Sequence, residues 1–328
     1  MSLIPVTILT GFLGSGKTTL LKHILKSDHG HRIAVIENEF GEAGIDNELL
    51  VQDRDEQIIE MNNGCICCTV RGDLVRILGE LAAKKAAGTL HFDRVVIETT
   101  GLADPAPVAQ TFFVDEEIGQ RYLLDAIVTL VDAKHAQAQL DEHHEAQEQV
   151  GFADRILLSK TDLVDATDVQ LLRQRLSRMN PRAKVSEARH GVAAIDDLLD
   201  IRGFNLNAIL EIEPAFLSDV SHEHDDDVSS FVFREDRPLD IAKFEDFLGS
   251  MVQVYGAQMM RYKGVLNIFG QDDRIVFQGV HMLMGADGGG AWKKDETRNS
   301  KMVFIGRDLP RELLEKGMSQ CVAGLQAE

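Results

Sequence analysis

Residues Gly11–Thr18 read GFLGSGKT and fit the pattern G-x-x-x-x-G-K-[ST]. The apolar run VTILTG ends in this stretch and the helix-like run KTTLLKHILK begins in it, so it links a strand to a helix. In that context glycines let backbone N–H groups curl round phosphates, Lys17 reaches the β- and γ-phosphates, and Thr18 holds Mg²⁺. We therefore predict a phosphate site rather than a chance glycine turn. Its residues are Gly11, Gly14, Ser15, Gly16, Lys17, Thr18 and Thr19.

Strand-like and helix-like segments alternate along the chain through residue 205. Short β-branched apolar segments, each followed by turn residues, read VTILTG, RIAVIENEF, RVVIETTG, DAIVTLVDA and RILLSKTD. Helix-like stretches lie between them and read KTTLLKHILK, GDLVRILGELAAKK, HHEAQEQVGFA and TDVQLLRQRLSRM. This alternation predicts an α/β domain, with a mainly parallel sheet covered by helices on both faces.

The pattern changes after residue 205, and we predict a second domain there. Residues 211–227, EIEPAFLSDVSHEHDDD, are acidic and lack periodicity, which is typical of a linker. Beyond them, strand-like segments follow one another around one helix, and a last helix begins at about Pro310, which predicts a smaller α+β domain with an antiparallel sheet. The predicted divisions are 1–205, a linker over 206–228, and 229–328. The stretch GADGGGAW, residues 285–292, is expected to be a mobile loop.

Composition limits the partners and the compartment that suit the chain. Its formal net charge of -19 repels nucleic acid and anionic lipid, so neither nucleic acid nor a membrane is expected as a partner. No apolar run approaches the roughly 20 residues that span a bilayer. The N-terminus, MSLIPVTILTGFLG, has no basic region before its apolar stretch, so we predict no signal peptide and a cytoplasmic location.

Two further segments fit the nucleotide site. Glu98 ends the apolar strand of VVIETTG, where an acidic residue contacts Mg²⁺ directly or through water, and the N–H of Gly101 senses the γ-phosphate. The second segment, LLSKTD, resembles the [NT]KxD guanine signature of GTPases. The Asp162 carboxylate accepts from guanine N1–H and the 2-amino group, a donor pair that adenine lacks, and Lys160 lies along the base. Ser159 stands where asparagine is usual, which leaves one base contact open, and a polar turn is the alternative for SKTD.

Three of the four cysteines, Cys65, Cys67 and Cys68, fall in the stretch MNNGCICCTV. In a reducing cytosol, clustered thiols indicate ligands or redox groups rather than structural disulfides. Thiolates are soft ligands for Zn²⁺, Co²⁺ or Cu(I). A structural zinc site usually needs four protein ligands, and the sequence has no second cysteine pair, so this site needs ligands from elsewhere. Buried packing residues and a reversible disulfide switch are the alternatives.

Taken in order, the glycine loop, ENEFGE, GCICC, ETTGLADP and SKTD resemble the CobW family of metal-handling P-loop GTPases. The resemblance continues into the C-terminal half through RYKGVL, FQGVHML and KMVFIGRDLP. It implies GTP hydrolysis coupled to handling a transition metal, usually Zn²⁺ or Co²⁺, and a metallochaperone role toward a client metalloprotein. Lys17, Thr18 and Glu98 are the residues expected to serve hydrolysis, which is expected to be slow unless a partner or a homodimer completes the site.

The stretch ENEFGE contains the glutamates that we expect to complete the thiolate site. Glu37 and Glu42 follow the second strand, beside the glycine loop, where a nucleotide-sensitive switch belongs. Solvated or Mg²⁺-linked carboxylates are the alternative. His222 and His224 lie in the acidic linker, where we favour a solvated segment over a loose metal site, and His190 is a further candidate for a metal or base contact.

Two other functions remain open from the sequence. A zinc-buffering or redox-sensing protein would use its nucleotide only for regulation. A P-loop kinase acting on a small molecule would need an acceptor pocket, and both SKTD and GCICC argue against it.

Overall fold

The structure is a computed structural model that describes residues 3–37, 58–60, 69–195, 198–203, 227–292 and 296–324. Side chains at 58–60, 69–71 and 287 are outside this description. The chain divides into two compact units, one of residues 1–174 and 183–203 and the other of residues 175–182 and 204–328. The domain boundaries at residues 205 and 228, which we inferred from the sequence, stay a prediction.

Within the residues that the structure describes, the first unit contains a seven-stranded sheet whose paired neighbours are all parallel. Its strands are β1 (Ile4–Gly11), β2 (Ile33–Glu37), β3 (Ile58–Glu60), β4 (Arg94–Glu98), β5 (Tyr122–Asp132), β6 (Arg155–Ser159) and β7 (Lys184–Ala188). Their spatial order is β3-β2-β4-β1-β5-β6-β7. The α/β class is confirmed, and so are the five apolar strands. The five apolar strands do not include β7, whose burial is partial and whose sequence, KVSEA, is not an apolar run.

Seven α-helices lie between residues 17 and 179 in the described part of the chain. They are α1 (Lys17–Lys26), α2 (Thr69–Ala86), α3 (Ala106–Val114), α4 (Glu116–Gly119), α5 (Ala136–Glu142), α6 (His144–Phe152) and α7 (Ala166–Met179). The four predicted helices are α1, α2, α6 and α7. Helix α1 packs its buried Leu20, Leu21 and Ile24 against the sheet, in one cluster with Leu9 and Val35. None of the described helices has the length and apolar character to cross a bilayer.

The central strand β1 brings the sequence motifs to one edge of the sheet. Leu9 of β1 pairs with Glu98 of β4, and Gly11 pairs with Leu130 of β5. Because parallel strands end at the same edge, the glycine loop after β1 and the ETTG segment after β4 emerge side by side. The short strand β3 runs parallel to β2, so its last residue, which precedes GCICC in the sequence, lies at the same edge.

Residues 227–292 and 296–324, the described part beyond the first domain, contain a five-stranded antiparallel sheet and two helices, which confirms the predicted α+β class. The strands are β8 (Val228–Glu235), β9 (Arg261–Leu266), β10 (Asp273–Val280), β11 (Leu283–Ala291) and β12 (Ser300–Arg307), in the order β11-β10-β9-β12-β8. The helices are α8 (Ile241–Tyr255) and α9 (Arg311–Gln320). Phe231, Phe244, Tyr262, Phe304 and Met318 lie in their shared core.

The prediction of a mobile loop at GADGGGAW was wrong. Residues through Ala291 belong to β11, which pairs with β10 from Val280↔Leu283 to Asp273↔Ala291. Backbone hydrogen bonds of a ladder require no side chain, so a glycine-rich segment is held when a neighbouring strand presents its groups in register. The guanidinium of Arg274 also donates to the Gly289 carbonyl at 2.9 Å, which fastens the glycine-rich end.

Candidate functional site

The glycine loop forms a tight cradle at the end of β1. Gly11 has φ 144°, and a Cβ there would lie 2.4 Å from the Leu130 carbonyl oxygen, so only glycine fits this contact. Gly14 and Gly16 also have positive φ, and Gly16 leads directly into α1. The first N–H groups of α1 therefore point into the loop, which is the arrangement that binds phosphate at a helix N-terminus.

Lys17 lies in the cradle with its amine turned back onto the loop. Its Nζ donates to the Gly11 carbonyl at 2.7 Å and to the Phe12 carbonyl at 3.4 Å. Burial lowers the pKa of Lys17, and the nearby Glu98 carboxylate partly opposes that shift. The amine is thus largely desolvated beside the helix N-terminus, where a phosphate group would supply stronger acceptors than these two carbonyls.

Thr18 and Glu98 meet at the same edge. The Thr18 hydroxyl donates to Glu98 Oε1 at 3.0 Å, which joins the start of α1 to the end of β4. Hydroxyl and carboxylate oxygens are hard ligands of the kind that Mg²⁺ prefers. These two predicted residues therefore fit a magnesium position beside the phosphate cradle.

The segment after β4 packs against the glycine loop. A Cβ on Gly101 would lie 2.7 Å from the backbone nitrogen of Leu13, so the two loops touch through their main chains. The buried Thr99 hydroxyl donates to the Thr10 hydroxyl at 2.8 Å, which ties this segment to β1 as well. Asp104 accepts from the Ala106 N–H at 2.8 Å and so stabilises the start of α3.

The SKTD loop contacts the glycine loop, and its aspartate, Asp162, is exposed. Ser159 is buried and its hydroxyl donates to the Ser15 carbonyl at 2.7 Å, so it holds the glycine loop instead of facing a base. Lys160 Nζ donates to the Gly14 carbonyl at 2.9 Å and to Asp132 Oδ2 at 2.7 Å. Asp162, on a short 3₁₀ turn, is exposed, and within the described residues its carboxylate has no polar partner. An open carboxylate at this position suits recognition of a base.

Asp132 is a site residue that the sequence analysis did not identify. It is 2% exposed, and its carboxylate accepts from Lys160 and from the Lys134 N–H, and contacts His135 Nδ1 at 2.8 Å. Burial acts to raise the pKa of Asp132, but the hydrogen bonds from Lys160 and His135 outweigh it and hold the pKa below its usual value. An acidic residue at the end of the apolar strand DAIVTLVDA was the only signal available in the sequence.

A carboxylate at the end of β7 positions the other side of the SKTD loop. Glu187 accepts from Arg173 at 2.9 Å, from Arg189 at 3.1 Å and from the Thr161 hydroxyl at 3.2 Å. The hydrogen bond from Arg173 is the main reason why the pKa of Glu187 lies below its usual value. The following turn includes the exposed His190 and packs on Thr19, since a Cβ on Gly191 would lie 2.4 Å from Thr19 Cγ2.

The predicted metal ligands are only partly within the described structure. Glu37 ends β2 and pairs in register with Glu98 on one side and Glu60 on the other. Cys65, Cys67, Cys68 and Glu42 lie outside the described residues, as do His222 and His224. In the part that is described, no group of three or more His, Cys, Asp or Glu side chains could hold a metal ion.

The fourth cysteine behaves as a packing residue. Cys321 is 2% exposed, its thiol donates to the Gly317 carbonyl at 3.2 Å, and burial raises the pKa of the thiol to about 11. A thiol with so high a pKa is a poor nucleophile and a poor ligand at neutral pH.

The sheet, the phosphate cradle and the SKTD loop define a P-loop GTPase. The chain belongs to the CobW family: residues 5–187 match the CobW/HypB/UreG nucleotide-binding domain, and residues 228–322 match the cobalamin synthesis protein CobW C-terminal domain. The family predicted from the motifs is thus confirmed.

Two related proteins and one solved structure align with nearly the whole chain. The zinc chaperone YjiA of Escherichia coli K12 is 46% identical over 313 residues, which cover 95% of this chain and 96% of that protein. The zinc-regulated GTPase metalloprotein activator 1 of Schizosaccharomyces pombe is 31% identical over 350 residues, covering 94% and 83%. The crystal structure of Zn(II)-bound YjiA GTPase from E. coli has a TM-score of 0.79 at 40% identity and covers 98% of this chain and 99% of that one.

We expect slow intrinsic hydrolysis of GTP. Ras-like enzymes place a water-orienting glutamine directly after the switch glycine, whereas Gly101 is followed by Leu102, which is 54% exposed and has no polar side-chain atom. Turnover should lie well below about 1 s⁻¹, toward the roughly 10⁻⁴ s⁻¹ of an unassisted Ras-type site. Phosphate release should be measured over a range of protein concentrations. A fast rate that does not depend on protein concentration would contradict this prediction and indicate a catalytic group within one chain.

Proposed function

We propose that this GTPase is a metallochaperone that binds Zn²⁺ at Cys65, Cys67 and Cys68 while GTP is bound and transfers it to a client metalloprotein. The names of the E. coli and S. pombe relatives support a zinc-related role. The observation that carries the coupling is the pairing of Glu37 with Glu98 at the ends of neighbouring strands. Neighbouring strands of a sheet lie about 4.8 Å apart. Glu98, the carboxylate proposed for Mg²⁺, and Glu37, the first residue of ENEFGE, are therefore direct neighbours.

In the proposed nucleotide complex, each group of the site has one role. The N–H groups of residues 14–18 and the Lys17 amine hold the phosphates, and Thr18 and Glu98 hold Mg²⁺ directly or through water. Bound Mg²⁺ would neutralise charge on the β- and γ-phosphates. Asp162 accepts from the guanine edge, and Lys160 is kept beside the base by its bonds to Asp132 and the Gly14 carbonyl. Substrate GTP is thus bound at both ends by residues of one sheet edge.

The cysteine motif stands at a suitable place along the chain for a switched site. It follows Glu60, the last residue of β3, and directly precedes Thr69, the first residue of α2. The partial positive charge at a helix N-terminus favours the thiolate form that binds metal. Three thiolates and one carboxylate from Glu37 or Glu42 would complete a four-ligand zinc site, and Co²⁺ accepts the same donors.

Nucleotide state would then decide whether the fourth ligand is in place. A γ-phosphate and Mg²⁺ order the segments around them, and hydrolysis releases these segments. If Glu37 or Glu42 is fixed only in the GTP state, hydrolysis weakens the zinc site and favours release to a client. A partner protein or a second copy of the chain would complete the GTP-hydrolysis site and so raise the slow turnover expected of a single chain. Membership of a GTPase family removes the support for a small-molecule kinase, whereas a zinc buffer or redox sensor remains the rival that experiment must separate.

The test is zinc affinity measured with a non-hydrolysable GTP analogue and again with GDP. We expect tighter binding with the GTP analogue by about 5- to 150-fold, and an equal increase of GTP-analogue affinity in the presence of zinc, because linkage is reciprocal. Equal zinc affinities in the two nucleotide states would refute the switch and leave a passive zinc site beside a GTPase.

Two cysteine variants form the control for this test. Cys67→Ala should lose the ultraviolet charge-transfer band that Co²⁺ gives with thiolates, while its affinity for GTP survives. Cys321→Ser is the matched control, because that thiol is buried and bonded to Gly317, and it should keep the band. If Cys67→Ala kept the band as Cys321→Ser does, the metal would bind at another site.

A further inference from the structure

Helix α6 contains a buried glutamine whose side chain reaches the segment after β4. Gln149 is 1% exposed, and its Nε2 donates to the Gly101 carbonyl and to the Ala103 carbonyl, each at 3.1 Å. Two carbonyl acceptors require the NH₂ group on this side of the amide, so the orientation of the side chain is determined by its partners. One side chain thus holds two peptide groups of the segment that flanks the phosphate cradle.

Gln149 is itself fixed by the central sheet. Its backbone carbonyl accepts from the Thr129 hydroxyl at 2.8 Å, and Thr129 is a buried residue of β5, the strand next to β1. Its Oε1 atom is buried and has no hydrogen-bond partner within the described residues. A buried acceptor without a partner costs free energy, which offsets part of the stability gained from the two bonds that Nε2 donates.

The two bonds also decide which way the loop backbone faces. In a planar trans peptide the C=O and the following N–H point in opposite directions, so the Leu102 N–H points away from Gln149. Gly101 also touches the backbone of Leu13 in the glycine loop. The Gly101 residue is therefore in contact with both the phosphate loop and the amide of Gln149.

We infer that Gln149 is a positioning residue for GTP hydrolysis, whose amide keeps the Gly101 peptide in place at the γ-phosphate edge of the glycine loop. This inference rests on the GTPase activity and not on the proposed zinc switch. The role of Gln149 can therefore be disproved while the zinc proposal stands. GDP has no γ-phosphate. Loss of Gln149 should therefore affect turnover and leave GDP binding unchanged.

The first test replaces Gln149→Met, which keeps the length of the side chain and removes both donors. Misplacing a reacting group through a distant change costs up to roughly 100-fold in rate, and we expect kcat to fall by about 10- to 100-fold with GDP affinity unchanged. Gln147→Met is the matched control: Gln147 is 4% exposed on the same helix and donates to the Leu140 carbonyl at 2.8 Å, within α5. That variant should keep its kcat.

The second test measures how the kcat of Gln149→Glu changes with pH. A purely structural role of Gln149 does not predict that kcat follows the protonation of the new carboxyl group. A protonated carboxyl can donate to one of the two loop carbonyls, whereas a carboxylate facing two carbonyl oxygens repels them. Because burial favours the protonated form, the ratio of variant to wild-type kcat should be highest at low pH and fall as pH rises through the carboxyl pKa. This measurement decides the question even where Gln149→Met does not fold.

Three results would overturn the inference. They are a wild-type kcat in Gln149→Met, a loss of GDP affinity equal to the loss of kcat, and a kcat ratio for Gln149→Glu that does not change with pH.

Discussion

Lys17→Met is expected to reduce GTP turnover by roughly 100- to 1,000-fold, the cost of removing one preorganised hydrogen-bond donor from a transition state. The amine now donates to the carbonyls of Gly11 and Phe12, directly beside the N-terminus of α1. A phosphate in the cradle would take over these donors, and methionine has none to offer. Phosphate release at saturating GTP measures the effect.

The same substitution should not lower the stability of the nucleotide-free protein. Burial lowers the pKa of Lys17, so the folded state binds its proton less firmly than the unfolded state does. The charged amine therefore destabilises the folded protein at neutral pH, and this cost disappears as pH rises from the lowered folded-state pKa toward the ordinary value for lysine. Lys17→Met removes the cost and keeps the apolar stem. Its unfolding temperature should equal or exceed that of the wild type at neutral pH.

Lys26→Met serves as the control for Lys17→Met. Lys26 is exposed in the last turn of the same helix, away from the cradle at its start, and its loss should change turnover little. Turnover of Lys17→Met within a few-fold of the wild type would show that the amine does not act on the phosphates.

Asp162→Asn is expected to weaken GTP binding by roughly 100-fold or more. A charge-assisted hydrogen bond contributes about 1.5–3 kcal/mol, two such bonds join the carboxylate to guanine, and 1.4 kcal/mol corresponds to a factor of ten. Folding should be unaffected, since Asp162 is exposed and its carboxylate has no partner within the described residues. Isothermal titration with GDP and GTP, together with the unfolding temperature, separates the two effects.

The same variant should gain affinity for xanthine nucleotides. Xanthine carries an acceptor oxygen where guanine carries its 2-amino group, and asparagine offers one acceptor and one donor, so the hydrogen-bond pattern is restored. Asp168→Asn, at an exposed position in the first turn of α7, is the control and should keep the preference for guanine. Equal affinity of the wild-type protein for ATP and GTP would end the assignment of SKTD to the base.

Most of the parallel domain could be predicted because its signals are local. The residues of GFLGSGKT must turn tightly between a strand and a helix, and apolar β-branched runs report buried strands directly. Some segments have weaker patterns than these: β7 is partly exposed, α4 has four residues, and β11 is rich in glycine. Their structure depends on neighbours that are distant in sequence, such as β6 for β7 and β10 for β11.

By itself the sequence determined the order of the motifs, the phosphate cradle with Lys17 and Thr18, and membership of the CobW family. Only the tertiary structure placed Glu37 beside Glu98, turned Ser159 onto the glycine loop, and brought Asp132 and Gln149 into the site. The physical reason lies in the range of the interactions. A glycine turn or an apolar run is encoded within a few residues, whereas a hydrogen bond such as that from Gln149 to Gly101 joins groups 48 residues apart and exists only after the sheet has formed.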